Sequence, residues 1–436
     1  MLTGPTARKG TVAVVDQGLL SATSFLAGVM LARLCSKEEF GAYALAFAVM
    51  LAANSLQGAL ISGPLTVLGA SREGDDWRGY ATSVAMAQVV LGLAAALLAA
   101  GVSTGLAVAG IVGKPLGAAL MAMSAALFFV QGQEFCRRVL YTRLRAWRVL
   151  LNDAAYCALQ VGGLLALWRL GGGHWGLGGA EATPGLLDGW SVFLCMGASA
   201  AAGTLLGLWQ IRGDLAGGLT RLREDLSETW SFGKWSLSSA GLAYVKDNTS
   251  PYVLAAVLSL AELAAMRAVL TVLRPLQLAY VPIMTVLTPR LAREYATKGW
   301  PACRHLAWRF TLVLSVVLVI PALGVTYLSL ELMDVLFGSK YNDYALLLAV
   351  WAPFYPLLGI WNAIFGSLSG VVRRPQIGFR ALAITAPLVI VASVVLVPVL
   401  GIWGAFCVNS AASLATTCVA YASVRKALHG ANVIHA

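Results

Sequence analysis

Four ionisable side chains, Lys246, Asp247, Arg267 and Arg274, sit within residues 237–290, a stretch otherwise apolar enough to cross a bilayer. A charge at the centre of a membrane helix costs at least about 2.5–3.5 kcal/mol, so such residues face a protein interior or a watery cavity and mark a pathway. Arg267 and Arg274 are seven residues apart. Two helical turns put them on one face, about 10.5 Å apart along the axis. A guanidinium presents planar, paired donors that suit phosphate oxygens. Lys246 adds a third cation, in the run KDNTSP, which is too polar for a lipid-facing surface. The expectation is that Arg267, Arg274 and Lys246 hold an anionic group in a cavity. Asp247 is expected to take an ion or proton, or to pair with Arg274. The competing placement makes KDNTSP a solvated outer helix end and pairs the arginines structurally with Asp247 or Glu262. Pro275 and Pro282 follow, and each removes a backbone hydrogen bond, which favours a kinked helix.

Weaker candidates lie nearer the N-terminus. Asp16 is a candidate for ion or proton coupling or for an ion pair; its place near the inner surface also allows plain solvation. Gln17, Ser21, Ser24 and Gly28 form a small polar stripe at helical spacing. Such a stripe suits either a cavity lining or close helix packing. Asn54 and Gln57, one turn apart, suit sugar hydroxyls or interhelical hydrogen bonds. Arg33 is placed to snorkel to outer headgroups. Asn362 and Asn409 read as interhelical glue, and Glu39 and Glu262 as structural residues of equivalent turns. No HExxH, P-loop or DxD motif occurs, and the four histidines, 174, 305, 429 and 435, are dispersed. Neither an enzyme, a metal nor a cofactor is expected; Na⁺ or H⁺ coupling stays open. The seven cysteines are scattered without a CxxC and read as small apolar residues rather than disulfides or ligands.

The elements that position these residues are membrane spans. The chain has 436 residues, of which 59% are hydrophobic and 12% charged, with a mean hydropathy of +0.77. Soluble domains carry about 25% charged residues. An all-α integral membrane protein follows, with about twelve spans: 12–34, 41–64, 81–101, 115–134, 152–170, 190–210, 232–252, 262–287, 307–328, 345–368, 378–398 and 402–424. They group as an N-terminal six-helix lobe (1–212), a cytoplasmic linker (213–230) and a C-terminal six-helix lobe (231–436), around a central cavity. With a cytoplasmic N-terminus, 23 of the 31 Lys and Arg residues fall on inner segments. That bias puts both termini in the cytoplasm. It also explains the net charge of +11 without nucleic acid as a partner. The five arginines of 137–148 suit an interfacial helix on anionic headgroups or an ordinary positive-inside loop. The outer loop 171–189 is glycine-rich.

An internal repeat is visible. LARLCSKEEFGAYA from Leu31 lies over LAAVLSLAELAAMR from Leu254, and TVLGASRE from Thr66 over TVLTPRLARE from Thr285. Two similar halves are a transporter device, with the substrate site between them. The opening VVDQGLLSATSFLAGVMLARLCSKEEFGAYALAF resembles the first two helices of Wzx-like polysaccharide flippases. These belong to the multidrug/oligosaccharidyl-lipid/polysaccharide exporter superfamily. WSFGKWSLSSA at Trp230, VLTVLRPLQ at Val269 and VLFGSKYNDY at Val335 continue the resemblance over nearly the whole chain. Many members have fourteen spans, against twelve here. The resemblance implies alternating-access transfer of an undecaprenyl-diphosphate-linked oligosaccharide (an O-antigen, capsule or exopolysaccharide repeat unit) across the bacterial inner membrane. Membrane lipids and other polysaccharide-assembly membrane proteins would then be its partners. Two other readings stand beside it. A multidrug or cation exporter of the same superfamily calls for an acidic cavity. A polytopic glycosyltransferase or polymerase calls for a large outer loop with catalytic groups, and 171–189 offers only His174, Glu181 and Asp188.

Overall fold

The computed structural model describes residues 5–173, 185–278, 280–372 and 374–434. The middle of the loop 171–189, with His174 and Glu181, lies outside the described residues. Within them all regular structure is helical, as expected where lipid forces every backbone group to be satisfied inside its own segment. The first elements are α1 (Pro5–Leu34), α2 (Lys37–Gln57), α3 (Gly63–Gly69), α4 (Gly74–Val108), α5 (Lys114–Thr142), α6 (Ala146–Leu170) and α7 (Gly189–Ile211). Then come α8 (Leu222–Val257), α9 (Leu260–Leu278), α10 (Val281–Tyr327), α11 (Ser329–Phe337), α12 (Ala345–Val371) and α13 (Pro375–Ile434).

Nine helical stretches among the described residues are long and apolar enough to cross a membrane. The last of them, Gln376–Leu428, has 53 residues. At 1.5 Å per residue that is about 80 Å, far more than the roughly 30 Å of a hydrocarbon core. Gly401 breaks it, with φ +61° and ψ −140°; only glycine enters that region without strain. Gly299 breaks α10 in the same way. The expected seventh and eighth spans fall outside the nine; α8 carries the polar run KDNTSP and α9 carries Glu262, Arg267 and Arg274.

The chain divides into two compact units, Met1–Gly241 and Leu242–Ala436. In the first, α5 is the central helix, packed on α7, α4 and α2. In the second, α12 holds that place, packed on α10 and α13. The repeat seen in the sequence has structural counterparts. Ser36 caps α2 by accepting from the Glu39 amide at 3.2 Å, while Glu39 accepts from the Ser36 amide at 2.9 Å. Ser259 accepts from the Glu262 amide at 3.2 Å, at the start of α9. Each of these helices is then irregular. A π turn, Gly58–Ser62, separates α2 from α3, which has Pro64 in its first turn. Likewise α9 stops at Leu278 and α10 starts with Pro282 in its first turn. A proline is tolerated there because the first-turn amides have no partner inside the helix. This corrects the single continuous span expected over 262–287.

Two cytoplasmic expectations also change. The segment 137–148 is no separate interfacial helix: α5 runs to Thr142, α6 starts at Ala146, and Leu144 turns the chain with φ +54°. The segment 213–230 is not a free linker, because α8 begins within it and is pinned down. Asp225, 3% exposed, accepts from Arg72 at 3.0 Å and from the Ser83 hydroxyl at 2.8 Å. Asp214 accepts from the Trp77 indole at 2.9 Å and pairs with Arg145.

Candidate functional site

In the first unit the polar residues converge on Arg137. This guanidinium, on α5, binds Asp153 of α6 at 2.7 Å, Glu134 at 2.5 Å and Asp16 of α1 at 3.4 Å. Tyr141 also donates to Asp16, at 2.7 Å, and Gln133 to Asp153, at 3.3 Å. Asp16 and Asp153 are 1% and 0% exposed, so the plain solvation allowed for Asp16 is ruled out. The two carboxyls lie close enough to act on each other. Asp16 Oδ1 has no hydrogen-bond partner, so the cluster retains an unused acceptor. Three carboxylates against one half-buried arginine tie α1, α5 and α6 together. Deeply buried charge of this kind is costly unless paired.

Beside this cluster lies a cavity of about 380 Å³ bordered by Asn54, Gln133, Glu134, Arg137, Arg138 and Tyr156. Asn54 Oδ1 is unpartnered. Gln57 lies elsewhere, fully buried, donating to Gln88 at 2.8 Å and to the Gln131 carbonyl at 2.7 Å. It serves as an interhelical bond, the second of its two expected roles. Gln17 is exposed and outside the cavity wall. Arg33 is buried rather than reaching out to headgroups.

The second unit has a larger cavity, about 520 Å³, and Lys246 and Asp247 form part of its wall. Lys246 is 8% exposed and pairs with the exposed carboxylate of its neighbour Asp247. The helix continues ten residues past Asp247, to Val257, or about 15 Å. The pair therefore does not sit at a helix end. Asp247 takes Lys246 as its partner, and Glu262 accepts from the Tyr344 hydroxyl at 3.0 Å.

Met266, Leu270 and Gln277 present one stripe of α9 to this cavity. Arg267 and Arg274 form a neighbouring stripe, roughly 60° round the helix at 100° per residue. Both are half-buried, and Pro275 is exposed. The arginines do not line the cavity, but the fields of both reach Tyr355, which does. Gln277 lines the same cavity as Tyr355.

Several site residues escaped sequence reasoning. By sequence Arg137 is one more inner-loop cation, and Asp153 lies just inside a span edge. The Glu134–Arg137 spacing of three residues was the available signal. Asn362 and Asn409 line the second cavity; Asn362 also accepts from Thr417 at 3.1 Å, so its reading as helix glue holds beside that. Among the described residues, no three His, Cys, Asp or Glu side chains are grouped to hold a metal.

No protein-family model and no curated protein matches the sequence. Solved structures do match. A lipid II flippase MurJ in an inward closed conformation superposes with a TM-score of 0.69 at 14% identity, covering 94% of this chain and 87% of that one. An inward-facing multidrug resistance MATE family transporter of the MOP superfamily gives 0.72 at 11%, covering 95% and 96%. A MOP superfamily transporter from Pyrococcus furiosus gives 0.67 at 12%, covering 97% and 95%. The chain therefore has the fold of these multi-pass membrane transporters.

Proposed function

We propose that the chain is a flippase that moves an undecaprenyl-diphosphate-linked oligosaccharide across the bacterial inner membrane by alternating access. The observation that carries this reading is the buried Lys246 on the cavity wall, with Arg267 and Arg274 on the adjoining stripe of α9, in a fold shared with a lipid II flippase. A diphosphate needs such donors to enter an apolar medium. It competes with Asp247 for Lys246. Its arrival frees the Asp247 carboxylate for Na⁺ or H⁺, which links substrate to coupling ion. In the first unit the unused oxygen of Asp16 is a second place for a proton.

The alternative is a cation exporter, favoured by the MATE-like fold and by the excess of carboxylates around Arg137. A glycan-export assay in cells separates the two. The flippase reading expects Arg267→Ala with Arg274→Ala to abolish surface glycan while the protein still inserts. Normal surface glycan from that double variant contradicts the phosphate role. Restoration of drug resistance in a drug-sensitive host, without any effect on glycan, supports the exporter.

A further inference from the structure

Lys246 accounts for one edge of the 520 Å³ cavity in the second unit; most of the remaining wall has no use for a phosphate. Trp351, Tyr280 and Tyr355 supply aromatic surface, and Gln277, Asn362 and Asn409 supply amides. Lys246 and Asp247 neutralise each other, so the cavity offers little to an organic cation. A lipid tail would leave the amides facing hydrocarbon, which is unfavourable. Aromatic faces beside neutral amides suit a ligand that is apolar on its faces and hydroxylated round its edge. A pyranose ring has that form: axial C–H groups cover its faces, and each hydroxyl both donates and accepts. The volume lies within the roughly 300–1,000 Å³ of small-molecule sites.

The aromatic wall is held in place. Phe406 and Trp403 meet the Trp351 ring edge-on, with centroids 5.6 and 6.0 Å away. Tyr280 lies over Gly359, where even a Cβ would strike its hydroxyl. Two groups of the wall residues are also unpartnered: the Trp351 Nε1–H donor and the Asn409 Oδ1 acceptor. Buried groups in that state are destabilising until something pairs with them. Both belong to residues that line the cavity, so an incoming hydroxyl is a partner each could take.

We propose that this cavity is a saccharide subsite, holding a neutral sugar ring against Trp351 and the tyrosines, with Asn409, Asn362 and Gln277 on its hydroxyls. As the sugar end of the cargo it rests on the flippase reading, yet it is tested without the lipid. Purified protein in nanodiscs is titrated with a panel of neutral disaccharides, with and without N-acetyl groups, and separately with inorganic pyrophosphate. Saturation-transfer NMR reads the sugar C–H protons. At least one disaccharide is expected to bind, and Trp351→Ala to abolish the signal. Asn409→Leu is expected to weaken binding about tenfold, and Trp351→Phe, which keeps the packing, about fivefold through loss of one hydrogen bond. Pyrophosphate binding stays unchanged in all three variants. Absence of binding across the panel, or unaltered binding in Asn409→Leu and Trp351→Phe proteins that melt like wild type, overturns the proposal. These two variants decide the matter if Trp351→Ala does not fold. The flippase reading fails separately: saccharide binding without translocation of any lipid-linked glycan contradicts that reading and leaves the subsite standing.

Discussion

Arg137 shows what a single residue contributes to the interior of a membrane protein. Its three carboxylate partners come from three sequence regions, and the group is closed by Tyr141 and Gln133. Removing one partner of a buried pair costs about 3–5 kcal/mol because the other charge stays behind. Arg137 would keep Asp16 and Glu134, so Asp153→Ala is expected at the lower end, about 3 kcal/mol. A thermal melt of the purified protein checks this; an unchanged melting temperature would contradict it. Asp16→Asn keeps a Tyr141 partner and is expected to destabilise less. Gly359→Ala forces the buried Tyr280 ring aside, with an expected loss of about 1–3 kcal/mol from overpacking. Legibility at this scale followed rarity. Lys246 and Asp247 stood out because charge is scarce in apolar sequence. Arg137 was hidden among the many arginines expected on the inner face. Trp351 and Asn409 carry no linear signal that separates a cavity wall from ordinary packing.

Helix breaks are the main event at the scale of elements. Pro282 gave advance notice of the interruption after α9, though as a kink rather than as two helices. The π turn at Gly58–Ser62 had only Gly58, Gly63 and Pro64 to announce it. Gly401 was legible as a boundary between the eleventh and twelfth spans. Its backbone lies where only glycine is at ease, so Gly401→Ala is expected to cost about 1–3 kcal/mol and to lower the melting temperature. The start of α8 reads as a linker because its composition is hydrophilic. Those same charges are what fasten it. Asp225→Ala removes the shared acceptor of Arg72 and Ser83. Limited trypsinolysis after Arg221 and Arg223 should then run several-fold faster than in wild type; an unchanged rate would show that the segment is held by other contacts.

For the whole molecule, composition alone was enough to place it in a membrane, because no arrangement buries 59% hydrophobic sequence in a soluble core of this size without more charge to cover it. The repeat was legible too, in the Ser36–Glu39 and Ser259–Glu262 caps and in the irregular helix that follows each. The ligand was less so, since the fold is shared at 11–14% identity with a lipid II flippase and with a multidrug transporter alike. The decisive measurement is translocation in vesicles. Purified protein is reconstituted with an undecaprenyl-diphosphate-linked oligosaccharide, and the glycan's arrival in the opposite leaflet is read with an impermeant glycosidase. Wild type is expected to transfer the glycan, and Arg267→Ala with Arg274→Ala to do so at least about tenfold more slowly, from the loss of two charged donors. Correctly inserted, normally melting protein that leaves the lipid-linked glycan in its starting leaflet while moving an organic cation would contradict it.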